Sequence, residues 1–297
     1  MSAEALAATF LAAGVRPGGV LLVHSSVSSL APDAGAAPPS PSTVLEALLL
    51  ALGPAGTLLV PAFSYLFVTP ESPAFDARST PTNLGALPTC ALRHPAALRS
   101  VHPTHSVAAI GARAAELTSQ HCLDRTPVGP RSPFALLAQA GGQVAFLGCG
   151  ARCNTLVHGV EEAALPAPPP YLLLPGLVTY SVTDGEGRQE SVQHARHDFG
   201  GVGQRYERLR ELVPRGAYRA SPLPSGRLLE VFEARALWDT AAAALAADPC
   251  ALTQRLEPGA DEGHYLARRA AKDGTHYYAY TVGPIAAAGG GGSAPPA

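Results

Sequence analysis

Short apolar runs alternate with helical patterns over the first 165 residues, and this alternation restricts the fold more than any other feature of the chain. The run Val20–Val23, for example, has the length and composition of a strand that is buried on both faces. Strands that alternate with helices form a sheet with helices packed on its faces, so the sequence predicts an α/β fold covered on both faces. Strands are predicted at residues 20–23, 57–60, 106–110 and 144–147, and helices at residues 4–12, 44–52, 84–93, 112–119, 134–138 and 156–165.

Two of the predicted helices begin beside candidate capping residues. Thr43 and Glu46 have the spacing of a capping box, which predicts the start of the second helix. Asn154 or Thr155 can cap the helix at 156–165, because either side chain accepts a hydrogen bond from an exposed backbone N–H group.

The remaining segments outline the rest of the chain. The stretch at 31–41, rich in Pro and Ala, is a loop insertion between the first strand and its helix, and the Gly-rich stretch at 289–297 is a flexible tail. After Tyr171 the pattern changes to strands and turns, followed by helices at 205–212 and 234–247. This part is either the remainder of the same domain or a small appended layer.

The composition excludes several classes of protein. With 47% hydrophobic and 15% charged residues the chain is not disordered, and its net charge of -2 argues against a nucleic-acid partner. No apolar run reaches the roughly 20 residues that a membrane-spanning helix requires. The N-terminus lacks the basic start of a signal peptide, so we expect a cytoplasmic protein.

The five cysteines are scattered and odd in number, which indicates reduced thiols rather than a disulfide framework. Cys149 and Cys153, with His158 five residues further on, could suggest a metal site. Structural zinc sites, however, usually carry a complete second pair of ligands. We therefore expect no metal and interpret the thiols as buried or partly buried.

The segment from Asn154 to Glu162 carries a candidate general base. His158 would lie in the first turn of its helix, with Glu161 and Glu162 at the i+3 and i+4 positions that approach the same face. The helix N-terminus favours the neutral ring, whereas a carboxylate favours the charged one. A ring balanced near neutral pH suits a general base. Taken alone, however, this spacing is more typical of an ordinary, partly buried histidine on an amphipathic helix.

Two further polar segments lie at strand ends, where sites are commonly built. Residues 100–106 include His102, Thr104 and Ser106, although local turn chemistry explains such a segment equally well. Residues 24–29 begin with His24 and two serines, which suits contacts with phosphate or pantetheine. They lack the glycine and lysine pattern of a P-loop.

An ordered series of stretches connects these segments. The most distinctive block runs from Gly148 through Asn154, Thr155 and His158 to Glu161. Other stretches lie at 20–30, 58–65, 79–88, 100–111, 199–209 and 236–238. In sequence and order they resemble the aminoglycoside 3-N-acetyltransferase family, over roughly residues 5–250. The shared order is more specific than any single stretch.

The resemblance implies a single α/β domain over residues 1–288, with a central mixed sheet flanked by helices on both faces and unrelated to GNAT acetyltransferases. It implies acetyl-CoA as co-substrate and transfer to a small amine, in the family the 3-amino group of an aminoglycoside antibiotic. Such an enzyme confers antibiotic resistance and is expected as a monomer or homodimer. His158 would take the amine proton, and Glu161 (less favoured, Glu162) would support the imidazole. The other implied site residues are His102 as a second catalytic histidine, His24, Ser25, Ser26, Thr104 and Ser106 for acetyl-CoA, and Tyr65, Asp76 and Glu162 for the substrate.

The chain departs from the family pattern in its acidic residues. Thr89 stands where the family commonly carries an acid, and few unassigned carboxylates remain to bind a polycation. The acceptor could therefore be another small amine. Two other classes stay open, an acyl-CoA or ester hydrolase and a non-catalytic CoA-binding protein. The chain has no Gly-x-Ser-x-Gly elbow, which disfavours the hydrolase.

Overall fold

The computed structural model describes residues 1–32, 35–164, 167–198 and 202–255, and the backbone of strands at 267–270 and 276–279. The strands are β1 (Val20–Ser25), β2 (Thr57–Pro61), β3 (Ala74–Asp76), β4 (Leu98–Arg99), β5 (Val107–Gly111), β6 (Gln143–Leu147), β7 (Val178–Thr183), β8 (Gln189–His194), β9 (Val202–Gln204), β10 (Tyr218–Pro222), β11 (Leu228–Glu233), β12 (Thr253–Arg255), β13 (Ala267–Ala270) and β14 (His276–Ala279). The helices are α1 (Ala3–Ala12), α2 (Pro41–Leu52), α3 (Ala86–Leu92), α4 (Ala114–Thr118), α5 (Pro133–Gln139), α6 (Leu156–Glu162), α7 (Leu209–Leu212) and α8 (Ala234–Ala247). The tail at 289–297 and the C-terminal limit at 288 lie outside the described residues.

A seven-stranded sheet forms the centre of the molecule, in the order β10-β11-β6-β1-β2-β5-β4. β1 runs parallel to both β2 and β6, whereas β11 and β5 run antiparallel to their neighbours β6 and β2. The four predicted strands all lie in this sheet. The sheet is mixed, as the resemblance implied.

Helices cover both faces of the sheet because successive side chains of its strands point in opposite directions. On β1, Leu21 and Val23 pack with residues of α1 and α2, and Val20 and Leu22 pack on the other face with residues of α5 and α8. The apolar runs thus reflect burial on both sides. The predicted α/β fold with two helical layers is confirmed.

The sequence left open whether the segment after Tyr171 completes the main domain or forms an appended layer, and the structure shows that it does both. β7 and β8 form a small three-stranded sheet with β3, outside the main sheet. β10 and β11 return to the edge of the main sheet, and α8 packs on that sheet through Leu237 and Ala241. Part of this segment is therefore an added layer, and part completes the central sheet.

Two capping predictions were wrong. α2 begins at Pro41, two residues before the predicted box, and Ser40 Oγ accepts the Thr43 N–H at 3.1 Å. Proline is favoured in the first helical turn, where its missing N–H group is not needed, and this sets the earlier start. At α6 the first flanking residue is Thr155, whose φ of -64° and ψ of -23° are already helical, so neither Thr155 nor Asn154 caps the helix with its side chain.

The topology brings three loops to one edge of the main sheet. β1, β2 and β6 are parallel, so their carboxyl ends share an edge, where ligands bind in open α/β sheets. The end of β1 and the loops that follow these three strands contain His24–Ser28, Ala62–Tyr65 and Gly148–Thr155. β5 is antiparallel and begins at the same edge, which adds residues 100–106. Among the described helices, none has the length and apolarity to cross a membrane.

Candidate active site

A buried histidine and carboxylate meet on one face of α6. His158 Nδ1 lies 2.9 Å from Glu161 Oε2, one helical turn later. Glu161 is fully buried, whereas 8% of His158 remains exposed. Gly159 lets the helix approach α8 closely, since a Cβ atom there would lie 3.0 Å from the ring of Trp238. The predicted approach of Glu161 to His158 is confirmed, and their catalytic roles stay predictions.

Two tyrosines complete the hydrogen bonding of Glu161. Tyr171 Oη donates to Glu161 Oε1 at 3.0 Å, and Tyr206 Oη donates to Oε2 at 3.0 Å while lying 2.9 Å from His158 Nδ1. Burial raises the pKa of Tyr171, so its phenol keeps the donating proton. Glu161 is thus surrounded by three hydrogen-bond donors, His158, Tyr171 and Tyr206, and its carboxylate oxygens act as acceptors. His158 Nδ1 therefore carries the hydrogen directed at Glu161, and Nε2 is the basic nitrogen.

The adjacent carboxylate, Glu162, binds a different histidine. Its Oε1 accepts from His197 Nε2 at 2.7 Å and from the Val128 N–H at 2.9 Å. Burial raises the pKa of Glu162 to about 7. The rings of His197 and His158 lie edge to face with centroids 5.0 Å apart. Glu162, which was predicted for the substrate and as the less favoured partner of His158, thus forms a separate pair with His197.

His102, the second predicted catalytic histidine, is fully buried and both of its ring nitrogens bind the backbone. Nδ1 accepts the N–H groups of Thr104 at 3.2 Å and His105 at 3.0 Å. Nε2 lies 3.2 Å from the Thr126 carbonyl oxygen. Burial and the nearby histidines lower the pKa of His102 well below its ordinary value. This geometry favours a structural position, and a catalytic role for His102 stays a prediction.

Further histidines continue from His102 toward His158. His102 lies 4.6 Å from His121 and His194, and His105 lies 5.2 Å from His197, between ring centroids. Burial lowers the pKa of His121 to about 3 and that of His194 to about 4. Burial and the charge of His197 also hold the pKa of His105 well below its ordinary value. These rings are neutral at neutral pH.

A cavity of about 290 Å³ opens at the sheet edge. His24, Ser25 and Ser26, which are predicted to bind acetyl-CoA, line it together with Phe63, Thr155 and a turn before α3. The cavity wall is joined to the start of α6, because the His158 N–H donates to the Thr155 carbonyl oxygen at 3.0 Å. Burial lowers the pKa of the His24 imidazole to about 3.

Three buried polar atoms around this cavity have no hydrogen-bond partner among the residues that the structure describes. They are His24 Nε2, Asn83 Oδ1 and Asn154 Oδ1. His24 and Asn83 line the cavity, and Asn154 stands between Cys153 and Thr155, which also line it. A buried polar atom without a partner costs free energy, so such a group near a cavity is positioned to meet a ligand.

The other two residues predicted for acetyl-CoA do not line the cavity. Thr104 Oγ1 lies 2.9 Å from His105 Nδ1. Ser106 is fully buried, donates to the Ala62 carbonyl oxygen at 2.8 Å and accepts from Arg99 Nε at 2.9 Å. The Ser106 side chain thus joins the loop after β2 to the start of β5, whereas the Thr104 hydroxyl group is engaged within the loop before β5.

The predicted substrate residues are dispersed. Tyr65 lies near the site, with its ring centroid 5.8 Å from that of His105. Asp76, on β3, accepts two hydrogen bonds from the Arg78 guanidinium, and these lower the pKa of Asp76 to about 2. A larger cavity of about 900 Å³ lies beside the small sheet, and Asp184, Glu186 and Glu190 are among its lining residues. It contains none of the predicted site residues.

Several residues of this site were not assigned from the sequence. Asn83 lies in a stretch that resembles the family, but nothing marked its side chain. Asn154 was considered only as a cap. Tyr171 and Tyr206 are distant in sequence from His158, and no local pattern connects them to it. In the described part of the chain, no group of His, Cys, Asp and Glu side chains is arranged to hold a metal ion.

Comparisons with known proteins address the family of the chain. Residues 22–246 match the family described as aminoglycoside 3-N-acetyltransferase. Aminoglycoside N(3)-acetyltransferase IV of Salmonella sp is 42% identical over 151 residues, which are 51% of this chain and 55% of that protein. The chain thus spans little more than half the length of the curated relatives that it matches first.

Solved structures are similar over most of the chain. The apoenzyme of aminoglycoside acetyltransferase AAC(3)-IVa has a TM-score of 0.70 at 29% identity, covering 88% of this chain and 94% of its own. A mutant of that enzyme was solved in complex with a gentamicin. AAC-IIIb, solved as a binary complex with CoASH, has a TM-score of 0.68 at 26% identity, covering 83% and 97%. The chain belongs to the aminoglycoside 3-N-acetyltransferase family.

Proposed function

We propose that the protein transfers the acetyl group of acetyl-CoA directly to an amino group of a small molecule, with His158 as general base. One observation carries the proposal. The His158 side chain is held by the buried, triply hydrogen-bonded Glu161, and its backbone N–H donates to Thr155, a residue of the cavity wall. A histidine that is oriented by a carboxylate and lies next to a ligand cavity has the arrangement of a catalytic base.

The cavity is the proposed site of the donor. Its volume of about 290 Å³ is near the lower end of ligand sites, which suits the narrow acetyl-pantetheine arm better than a whole coenzyme. His24, Asn83 and Asn154 offer polar atoms without protein partners to amide and carbonyl groups of such an arm. The CoASH complex of AAC-IIIb supports this assignment.

The amine proton is proposed to pass to His158. With Nδ1–H directed at Glu161, the Nε2 lone pair accepts the proton as the amine attacks the thioester carbonyl carbon. The coenzyme A thiolate leaves as the tetrahedral centre collapses, and it takes the proton from the His158 imidazolium, which restores the neutral base. Glu161 stabilises the imidazolium, and the tyrosines keep Glu161 in place. General-base catalysis of this kind contributes about 10²–10⁴-fold to the rate.

We propose the 3-amino group of an aminoglycoside as acceptor, supported by the names of the relatives and by the gentamicin complex of AAC(3)-IVa. The alternative is a small amine with fewer positive charges. The alternative has its own support, because two predicted acidic contacts are engaged elsewhere, Asp76 with Arg78 and Glu162 with His197.

The test follows thiol release from acetyl-CoA with each of a panel of aminoglycosides and simple amines. The proposal predicts release that requires an acceptor and that falls by about 10²-fold or more in His158→Ala. His94→Ala, a histidine that lines neither cavity, is the matched control. Thiol release at the same rate with and without an acceptor would indicate a hydrolase. Binding of CoA without turnover for any acceptor would indicate a non-catalytic binding protein.

A further inference from the structure

Two cysteines, Cys149 and Cys153, lie in the wall of the cavity at the sheet edge. Cys149 follows β6, and Cys153 ends a short 3₁₀ helix that begins at Ala151. Both are partly buried free thiols, and both line the cavity together with His24 and Thr155. The sequence suggested only buried or partly buried thiols, and the proposed acetyl transfer uses neither of them.

The turn between the cysteines brings the Cys153 side chain back to the backbone of Cys149. The N–H of Cys153 donates to the Gly150 carbonyl oxygen at 3.3 Å, which folds the chain back on itself. Cys153 Sγ then lies 3.9 Å from the carbonyl oxygen of Cys149. Gly150 has a φ of 77°, a conformation that other residues rarely adopt. Glu230 on β11 stabilises the loop, because its carboxylate accepts the Ala151 N–H at 3.1 Å.

The two thiols are electronically unequal. A hydrogen bond between them raises the pKa of Cys149 and lowers that of Cys153, whose thiolate the neighbouring Arg152 also stabilises. A thiolate is the species that attacks a disulfide. Cys153 is thus the attacking sulfur, and Cys149 is the resolving one.

We propose that Cys149 and Cys153 are an oxidation site, which a low-molecular-weight disulfide converts into an intramolecular disulfide in the wall of the cavity. The Cys153 thiolate attacks one sulfur of the reagent, which forms a mixed disulfide and releases one thiolate. The Cys149 thiol loses its proton to solvent and attacks Cys153 Sγ, which releases the second thiolate. The protein gives up two electrons and two protons, and the reagent becomes two thiols.

The new bond changes the surface that faces the proposed donor. It holds the two sulfur atoms about 2.05 Å apart and thereby shifts the loop that carries Asn154 and Thr155. The predicted consequence, which rests on the proposed function, is weaker binding of coenzyme A. Reduction by dithiothreitol should restore the binding, because it breaks the bond and regenerates both thiols.

The test uses the full chain, treated with glutathione disulfide and digested with trypsin without reduction. Arg152 lies between the cysteines, so cleavage separates them into peptides 132–152 and 153–188, which only a disulfide can rejoin. We expect the joined pair, its loss with dithiothreitol, and its absence in Cys149→Ser and Cys153→Ser. Cys149→Ser should retain a glutathione adduct on Cys153. Cys90→Ser, at a cysteine outside the cavity, is the control that keeps the joined pair.

Glutathionylation of the exposed Cys250 shows that the reagent has reacted with the protein. If the two peptides remain unlinked in such a sample, the cysteine pair has not been oxidised, and the proposal is overturned. Coenzyme A binding, measured by calorimetry, separates the two claims. Oxidation should weaken it by about tenfold or more, a loss of about 1.4 kcal/mol. Unchanged affinity of the linked protein would refute the effect on the cavity. Failure of the reduced protein to bind coenzyme A would count against the proposed function alone.

Discussion

Acidification should unfold this protein at a pH at which ordinary surface carboxylates are still charged. Burial lowers the pKa of His24 and His121 to about 3 and that of His194 to about 4. The same cause moves three further pKa values well below the ordinary range, those of His102, His105 and His197. In the unfolded chain each histidine takes up a proton near pH 6.5. The unfolded state therefore binds more protons than the folded state below that pH, and stability falls as the pH falls.

The size of the effect follows from linkage. Between pH 7 and pH 5, a histidine that stays neutral in the folded protein costs about 2 kcal/mol of stability, and six such histidines cost about 11 kcal/mol. Two buried carboxylates act in the opposite direction, because burial raises the pKa of Glu162 to about 7 and that of Asp124 to about 6. Their protonation in the folded protein offsets about 3 kcal/mol over the same interval. The net loss of about 8 kcal/mol is comparable to the whole stability of a typical domain.

Urea unfolding between pH 7.5 and pH 5, followed by circular dichroism, measures this loss. Near pH 5.5 the free energy of unfolding should fall by about 5 kcal/mol per pH unit, which corresponds to a net uptake of about four protons on unfolding. His121→Gln should reduce the uptake by about one proton whatever its effect on stability at neutral pH. A flat profile would mean that these histidines are already protonated in the folded protein, which would refute the argument from burial.

Three further predictions concern single side chains. Glu161→Gln should lower kcat by about 10²-fold or more, with CoA affinity retained, because the amide cannot stabilise the imidazolium; equal kcat in steady-state assays would contradict the role of Glu161. Tyr206→Phe removes one donor to a charged group and should lower kcat about tenfold and shift the pH–rate profile, with Tyr180→Phe as a buried control outside this network. Ser40→Ala should cost about 1 kcal/mol in urea unfolding through the lost cap of α2, whereas Ser42→Ala should cost less; equal losses would disprove the corrected cap position.

The sequence specified the central sheet well because its strands are buried on both faces. Continuous apolar runs such as Val20–Val23 have no other stable location in a chain of this composition. Pairing directions and the position of β10 and β11 depend on contacts between distant residues, which no local pattern encodes. The start of α2 was misplaced because the spacing of Thr43 and Glu46 outweighed the proline that sets the first turn.

The site shows the same division between local and distant information. The contact of His158 with Glu161 follows from helical spacing alone and could be predicted. Tyr171 and Tyr206 contact Glu161 only because the fold brings them together, and no local pattern predicts these contacts. The same holds for the contact between Glu162 and His197. Thr104 and Ser106 lie in the stretch that resembles the family, but their hydroxyl groups are used within the protein.

The most direct test of acetyl transfer is the product itself. The purified protein is incubated with acetyl-CoA and gentamicin, and the aminoglycoside is analysed by mass spectrometry and NMR. The proposal predicts one acetyl group, on the 3-amino group, formed by the unmodified protein and strongly reduced in His158→Ala. Thiol release that leaves gentamicin and every other amine unmodified would contradict it.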